Sequence, residues 1–167
     1  MKKKVFYYAK ELVFIIIFMS IFANILSIYK SQELNKQALK FQSFKLIDNT
    51  TYNVNTSKPL IVHFWATWCP TCKLETSNIE YLSKYYNVIT IAVNSGSDYE
   101  LHTYLQERDL HFKVINDNNS EYSTQFNIKA FPTTFIYDQN QNLVFSEVGY
   151  TSTIGLLLRM WWIKLFK

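Results

Sequence analysis

Cys69 and Cys72 are the only two cysteines in the chain. A thiolate attacks a disulfide sulfur, and a second thiol nearby resolves the mixed disulfide, so this pairing suits thiol–disulfide exchange. Two other uses of the pair stand beside that one. A static disulfide closing so short a gap constrains little of the unfolded chain and adds little stability. A metal site would need ligands from elsewhere, and His63, His102 and His111 lack the paired spacing of zinc fingers. Redox exchange is the first reading of an isolated Cys-x-x-Cys.

Such a pair works only if the backbone around it is built for it. Leu60 to Ala66 is a continuous apolar run of strand length, the pattern of a central buried strand. A helix is expected from about Cys69 to Tyr86, with Leu74, Ile79 and Leu82 turned inward. Cys69 then sits at a helix N-terminus, where unpaired N–H groups and the helix dipole favour a thiolate. Pro70 fits the first turn, where its missing N–H costs nothing. Cys72 lies one turn on, and an exposed Cys69 with a shielded Cys72 is the expected division of labour.

Further along, Val88 to Val93 reads as a second buried strand and Asp98 to Arg108 as a helix with Leu101, Tyr104 and Leu105 on one face. Phe112 to Ile115 reads as a short strand and Ser120 to Phe126 as a short helix. Thr133 to Tyr137 and Asn142 to Val148 form a hairpin around Asp138–Gln141. A shorter hairpin precedes all of these, with Phe44 and Leu46 before the turn at Asp48-Asn49 and Tyr52 and Val54 after it. The last helix spans about Ser152 to Phe166, with Ile154, Leu157, Leu158, Trp161 and Leu165 as its core stripe. Left over are Leu156, Ile163 and Phe166, with Arg159, Lys164 and Lys167 nearby; either ordinary exposure or contact with a membrane surface would accommodate them. The order of elements gives an α/β fold, a mixed sheet covered by helices on both faces.

The chain has 167 residues, 49% of them hydrophobic and 17% aromatic, with a formal net charge of +4. Much of the basic excess lies at the two ends, and no basic stripe runs through the middle, which argues against nucleic acid as a partner. The apolar run from Leu12 to Tyr29 would span about 27 Å as a helix, close to the thickness of a bilayer core. It is longer than the apolar part of a cleaved signal peptide, and no A-x-A-like site follows, so a retained signal anchor is expected. Lys2, Lys3 and Lys4 would hold residues 1–11 on the cytoplasmic side. Residues 30–40 would be a polar linker, and the globular domain would occupy 41–167.

The segment Phe64-Trp65-Ala66-Thr67-Trp68-Cys69-Pro70-Thr71-Cys72-Lys73-Leu74-Glu75 resembles the active-site segment of the thioredoxin superfamily. A second hallmark follows at Ala130-Phe131-Pro132-Thr133-Thr134-Phe135. The resemblance covers residues 41–167 and implies a thioredoxin fold with an N-terminal β-hairpin extension. It implies that Pro132 is cis and faces the cysteines, and that Pro70, Thr71, Phe131 and Thr133 border a substrate groove. Within the superfamily the chain is most similar to TlpA-like, membrane-anchored periplasmic proteins. His63-Phe64-Trp65, Ser95-Gly96-Ser97-Asp98, Val114-Ile115-Asn116-Asp117 and Val148-Gly149-Tyr150-Thr151 point to the group of suppressor-of-copper-sensitivity protein D (ScsD).

Four residues depart from the family pattern or modulate it. His63 stands where thioredoxin carries a buried aspartate, and is either a proton acceptor for Cys72 or a neutral, hydrogen-bonded core residue. Glu75 is either an acid that tunes the cysteines, as in some TlpA-like reductases, or a first-turn residue that complements the helix dipole. Trp68 is expected to shield the disulfide and offer substrates an apolar contact, with Trp65 in the core. Thr133 replaces the acid that cytochrome-maturation relatives carry after the proline, which weakens the case for that pathway.

The resemblance implies a protein–disulfide oxidoreductase with Cys69, Cys72 and Pro132 as its catalytic residues, without cofactor or metal. Its partners would be periplasmic proteins with thiols or disulfides and a redox protein of the bacterial inner membrane. The reducing direction is favoured. An oxidant that introduces disulfides, or a copper- or partner-binding module without turnover, are the alternatives.

Overall fold

The architecture is described from a computed structural model of the chain, covering residues 2–32, 34–35, 43–55 and 57–166. Phe41, the expected start of the domain, lies outside the described residues, as do positions 36–40 of the expected linker and Lys167.

The long apolar run and its flanks form one helix, α1 (Lys2–Ser31), from which Leu12, Phe14, Phe18, Ile21 and Ile25 are among the exposed side chains. A two-stranded hairpin follows, β1 (Ser43–Lys45) and β2 (Thr51–Asn53), with Phe44 opposite Tyr52. Its turn is held by the Asp48 carboxylate, which accepts from the Thr50 amide at 2.9 Å. That bond is the Asx-type geometry that places Asp at turns.

The main sheet runs β5–β4–β3–β6–β7. β3 (Leu60–Trp65) is central and all six of its residues are buried, which is why it reads as an uninterrupted apolar run. β4 (Asn87–Val93) and β5 (Lys113–Asp117) run parallel to it, reached through α2 (Pro70–Ser83) and α3 (Asp98–Glu107). On the other side β6 (Thr133–Tyr137) and β7 (Leu143–Val148) form the expected antiparallel hairpin. α3 opens with a capping box: the Ser97 hydroxyl accepts from the Glu100 amide, and the Glu100 carboxylate accepts from the Ser97 amide at 2.7 Å. α4 (Glu121–Gln125) starts on Asp117, whose carboxylate accepts from the amides of Tyr122 and Ser123 at 3.0 and 2.8 Å.

Side-chain alternation along the strands divides the core into two layers. Ile61, Trp65, Val88, Ala92 and Ile136 pack with both cysteines against residues of α2, α3 and the final helix, α5 (Thr153–Phe166). Val62, Phe64, Ile89, Ile91 and Phe135 pack on the opposite face with Phe44, Leu34 and Phe126. The three longest helices of the domain therefore share one face, and the small hairpin and α4 cover the other. The thioredoxin fold, with its mixed sheet and single N-terminal apolar helix, is as the sequence leads one to expect.

Two helix faces differ from expectation. Leu74 is 71% exposed, whereas Ile79 and Leu82 are buried as expected. The rotation of α2 is set by Cys72, and Leu74 lies two positions further, on the far side of a 3.6-residue turn. In α5 the buried residues are Leu156, Met160 and Ile163, while Ile154, Leu158, Trp161 and Leu165 of the expected core stripe face outward. Arg159 fixes this rotation, because its Nε donates to the Glu147 carboxylate at 2.6 Å. The more apolar side of α5 is thus the outer one.

Candidate active site

Where β3 ends, the chain turns sharply into α2, and the turn is fastened from two sides. The Ser95 hydroxyl accepts from the Thr67 amide at 3.0 Å and donates to the Val93 carbonyl at 2.9 Å. The Trp68 indole N–H donates to the Asn94 carbonyl at 3.0 Å. Cys69 is then the N-cap of α2, with Pro70 in the first helical position. Its sulfur accepts from the Cys72 amide at 3.1 Å, where a cap residue ordinarily presents a side-chain oxygen. A donor aimed at sulfur, together with the helix dipole, stabilises the thiolate over the thiol.

A disulfide joins Cys69 and Cys72. In this oxidised form both residues are buried, 5% and 2% exposed, so the division into an open and a shielded cysteine is only slight. Pro70 is exposed and Thr71 half-buried, leaving the outer surface of the turn open. Trp68 is exposed and stands edge-on to Phe131, ring centres 5.6 Å apart. Through that contact the two motifs, distant in sequence, meet at one place. Trp65 is in the core as expected, against Tyr104 and Phe112.

The Phe131–Pro132 peptide bond is cis. The Pro132 carbonyl accepts from the Gly149 amide at 2.8 Å, which ties the loop to the end of β7. Phe131 is half-buried and touches both core layers. Thr133 has no exposed surface and its hydroxyl donates to the Ala130 carbonyl at 2.8 Å, so its side chain offers no groove wall.

His63 is buried, and its Nδ1 lies 2.9 Å from the Thr134 hydroxyl. Burial pushes its pKa down to about 3, which leaves the ring neutral near pH 7. The side chain belongs to the sheet face that carries Ile61 and Trp65, beneath α2. Register places Thr90 on one side of it and Thr134 on the other, with Glu147 beyond Thr134. A polar row of four residues thus crosses β4, β3, β6 and β7 within an apolar layer.

Glu75 is the sixth residue of α2, past the first turn, and fully buried. Neither carboxylate oxygen has a hydrogen-bond partner of ordinary geometry. Burial pushes its pKa up to about 8; the nearby Thr151 amide opposes the shift and the Glu147 charge adds to it. Near pH 7 the side chain is therefore mostly a neutral acid, and it does not serve the helix dipole as a charge. Among the described residues no group of three or more His, Cys, Asp and Glu side chains is arranged to hold a metal ion.

No sequence pattern marks Thr134, Glu147 or Arg159 as part of the site. Thr134 sits in the second motif, and its link to His63 follows only from the register of β3 with β6. Glu147 and Arg159 are twelve positions apart, and their pairing needs β7 and α5 to be docked first.

The sequence profile of the Redoxin family matches residues 36–155. The chain belongs to the Redoxin family. A thioredoxin-like protein of Haemophilus influenzae is 31% identical over 140 residues, covering 81% of this chain and 80% of that one. The thiol-disulfide oxidoreductase ResA of Oceanobacillus iheyensis is 29% identical over 101 residues, covering 56% of this chain and 52% of its own length. This Redoxin-family chain thus spans only about half of some curated relatives. A thiol:disulfide interchange protein of Chlorobium tepidum superposes with a TM-score of 0.64 at 24% identity, over 78% of this chain and 97% of that one, which supports the fold. By class, this Redoxin-family member is a thioredoxin-like protein–disulfide oxidoreductase.

Proposed function

We propose that the protein is a membrane-anchored, extracytoplasmic thiol–disulfide oxidoreductase of the ScsD type, running in the reducing direction. The observation that carries this reading is the N-cap placement of Cys69, whose sulfur receives the Cys72 amide at the mouth of α2. In the reduced enzyme the Cys69 thiolate attacks a substrate disulfide, forming a mixed disulfide and releasing one substrate thiolate. Cys72, as thiolate, then attacks the Cys69 sulfur; the enzyme disulfide forms and the second substrate thiolate leaves. Two electrons and two protons pass to the substrate, and a thiol-bearing redox partner in the membrane restores the dithiol. Trp68 and Phe131 would grip the substrate chain at the rim, with Pro132 behind them and Pro70 and Thr71 on the opposite lip.

Glu75 and His63 supply the site with one neutral acid and one neutral base near pH 7. Glu75 is the better placed to give up a proton as the dithiol forms, since its pKa lies within reach of a cysteine's. α1, long and apolar enough to cross a bilayer, supports the anchor, and Lys2 to Lys4 support its orientation.

The test is the reduction potential of the full chain in detergent, equilibrated against thiol–disulfide buffers, together with insulin reduction. A potential of about −270 mV with turnover supports a reductase. A potential of about −120 mV reverses the direction.

A further inference from the structure

The anchor and the catalytic domain are joined by more than the intervening chain. The Ser27 hydroxyl of α1 donates to the Glu147 carboxylate at 3.2 Å and accepts from the Val148 amide at 2.9 Å. One turn earlier, Asn24 accepts from the Arg159 guanidinium at 3.4 Å. The Arg159–Glu147 ion pair therefore binds α1, β7 and α5 together. Past this junction Leu34 is buried in the core and the Asn35 amide donates to the Phe126 carbonyl at 3.1 Å.

These contacts fix the relative direction of the two helices. Ser27 meets Val148, ahead of α5, whereas Asn24, one turn earlier in α1, meets Arg159, in the middle of α5. The contacts thus follow in reversed order along α1 and along the β7–α5 segment, which directs α5 back toward the apolar part of the anchor. Phe166, seven residues beyond Arg159, reaches about 10 Å further in that direction. Trp162 and Phe166 follow Arg159 at helical spacing, both exposed, with ring centres 4.4 Å apart. Leu158, Trp161 and Leu165 continue the exposed surface around the helix. Both helices thus present exposed apolar side chains beside the junction, more than the scattered exposure of a soluble domain.

We propose that the end of α5 inserts beside α1 into the outer leaflet of the bilayer, so that the catalytic domain has a fixed seat on the membrane. The inference rests on the anchor reading and adds the orientation of the domain to it. Three features favour lipid over a second copy of the chain. The surface lies next to the junction with α1; it carries two adjacent tryptophans, the residue type enriched at bilayer interfaces; and Lys164 stands beside it to meet headgroup phosphates. The polar junction of Asn24, Ser27, Glu147 and Arg159 would then sit near the headgroups, satisfied within the protein.

The test uses the full chain in phosphatidylcholine–phosphatidylglycerol vesicles whose acyl chains carry bromine close to the headgroup, a short-range quencher of tryptophan. Two of the four tryptophans lie in α5, so loss of about half of the emission relative to unbrominated vesicles is expected. The double variant W161F/W162F, conservative at exposed positions, should abolish that loss. A chain that floats with the vesicles but is not quenched, whether because α5 faces water or pairs with a second copy, overturns the seat and spares the anchor. Quenching that persists in the double variant also overturns the seat. A chain that does not float overturns the anchor reading and the seat with it.

Discussion

His63 and Thr134 are direct partners across β3 and β6, with Nδ1 2.9 Å from the hydroxyl. The pair lies in the same layer as a second buried ionisable group, Glu75, whose shift has the opposite consequence. A histidine held near 3 folds without the proton that its unfolded form binds below about 6.5, so its stability contribution falls as pH drops from 6.5 to 3. A glutamic acid held near 8 folds with a proton that its unfolded form has lost, so its contribution falls as pH rises from 4.5 to 8. Between about 4.5 and 6.5 the two slopes oppose each other. The oxidised protein should show flat stability there and lose stability on both sides, as read by denaturant midpoints across pH.

Separating the pair should expose each slope. His63→Gln keeps an acceptor for Thr134 and should leave a stability that declines steadily from about pH 4.5 to 8. Glu75→Gln should instead rise to about pH 6.5 and then stay level, and at pH 7 should exceed the parent by about 3 kcal/mol. If Glu75 also passes protons during exchange, the same variant loses the ionisation near 8 from the pH profile of kcat/KM. Unchanged profiles in both measurements would remove it from the mechanism.

Cys72→Ser should leave Cys69 able to attack and unable to be released. Mixed disulfides with substrate proteins should then accumulate, visible on non-reducing gels and lost with dithiothreitol. Cys69→Ser should trap nothing and show no insulin reduction. Equal trapping by both variants would mean that the roles of the two cysteines are shared.

Trp68→Ala removes the exposed half of the edge-to-face pair with Phe131. An aromatic contact of this kind to a substrate side chain is worth about 0.5–1.5 kcal/mol, so its loss should lower kcat/KM for a protein disulfide about 2- to 10-fold. The rate with a small disulfide, which needs no rim, should change much less. A parallel fall in both would show that the indole acts on the cysteines, through its hold on the Asn94 carbonyl, and not on the substrate.

Arg159→Met strands the Glu147 carboxylate in a mostly buried position. The cost should be about 2–3 kcal/mol, between that of an exposed pair and a fully buried one. Adding Glu147→Gln should recover part of it, which a thermal or denaturant series on the two variants would show.

The site was legible because its chemistry is local. Cys69, Pro70 and Cys72 occupy one turn, and the strand before them and the helix after them are written in adjoining residues. Pro132 was legible through the resemblance of its segment alone. The rotation of α5 is not legible, because its most apolar face is not the one that turns inward. The physical reason lies outside the helix: an ion pair to β7 and the placement of α1 decide which side turns inward. Leu74 follows the same logic on α2, where Cys72 sets the phase and a leucine is left outside. The polar row through His63 depends on strand register, which no single segment encodes.

The bond from the Val148 amide to Ser27 also covers part of a sheet border. β7 closes its side of the five-stranded sheet, and among the described residues no further strand lies beyond it. An outermost strand presents free amides and carbonyls that can pair with the same strand of another molecule. Here a helix crosses that border and occupies one of its donors with a hydroxyl. Preparations trimmed of α1 to gain solubility would bare this border together with the outer side of α5. They should therefore self-associate as concentration rises, through strand pairing that the intact chain forestalls.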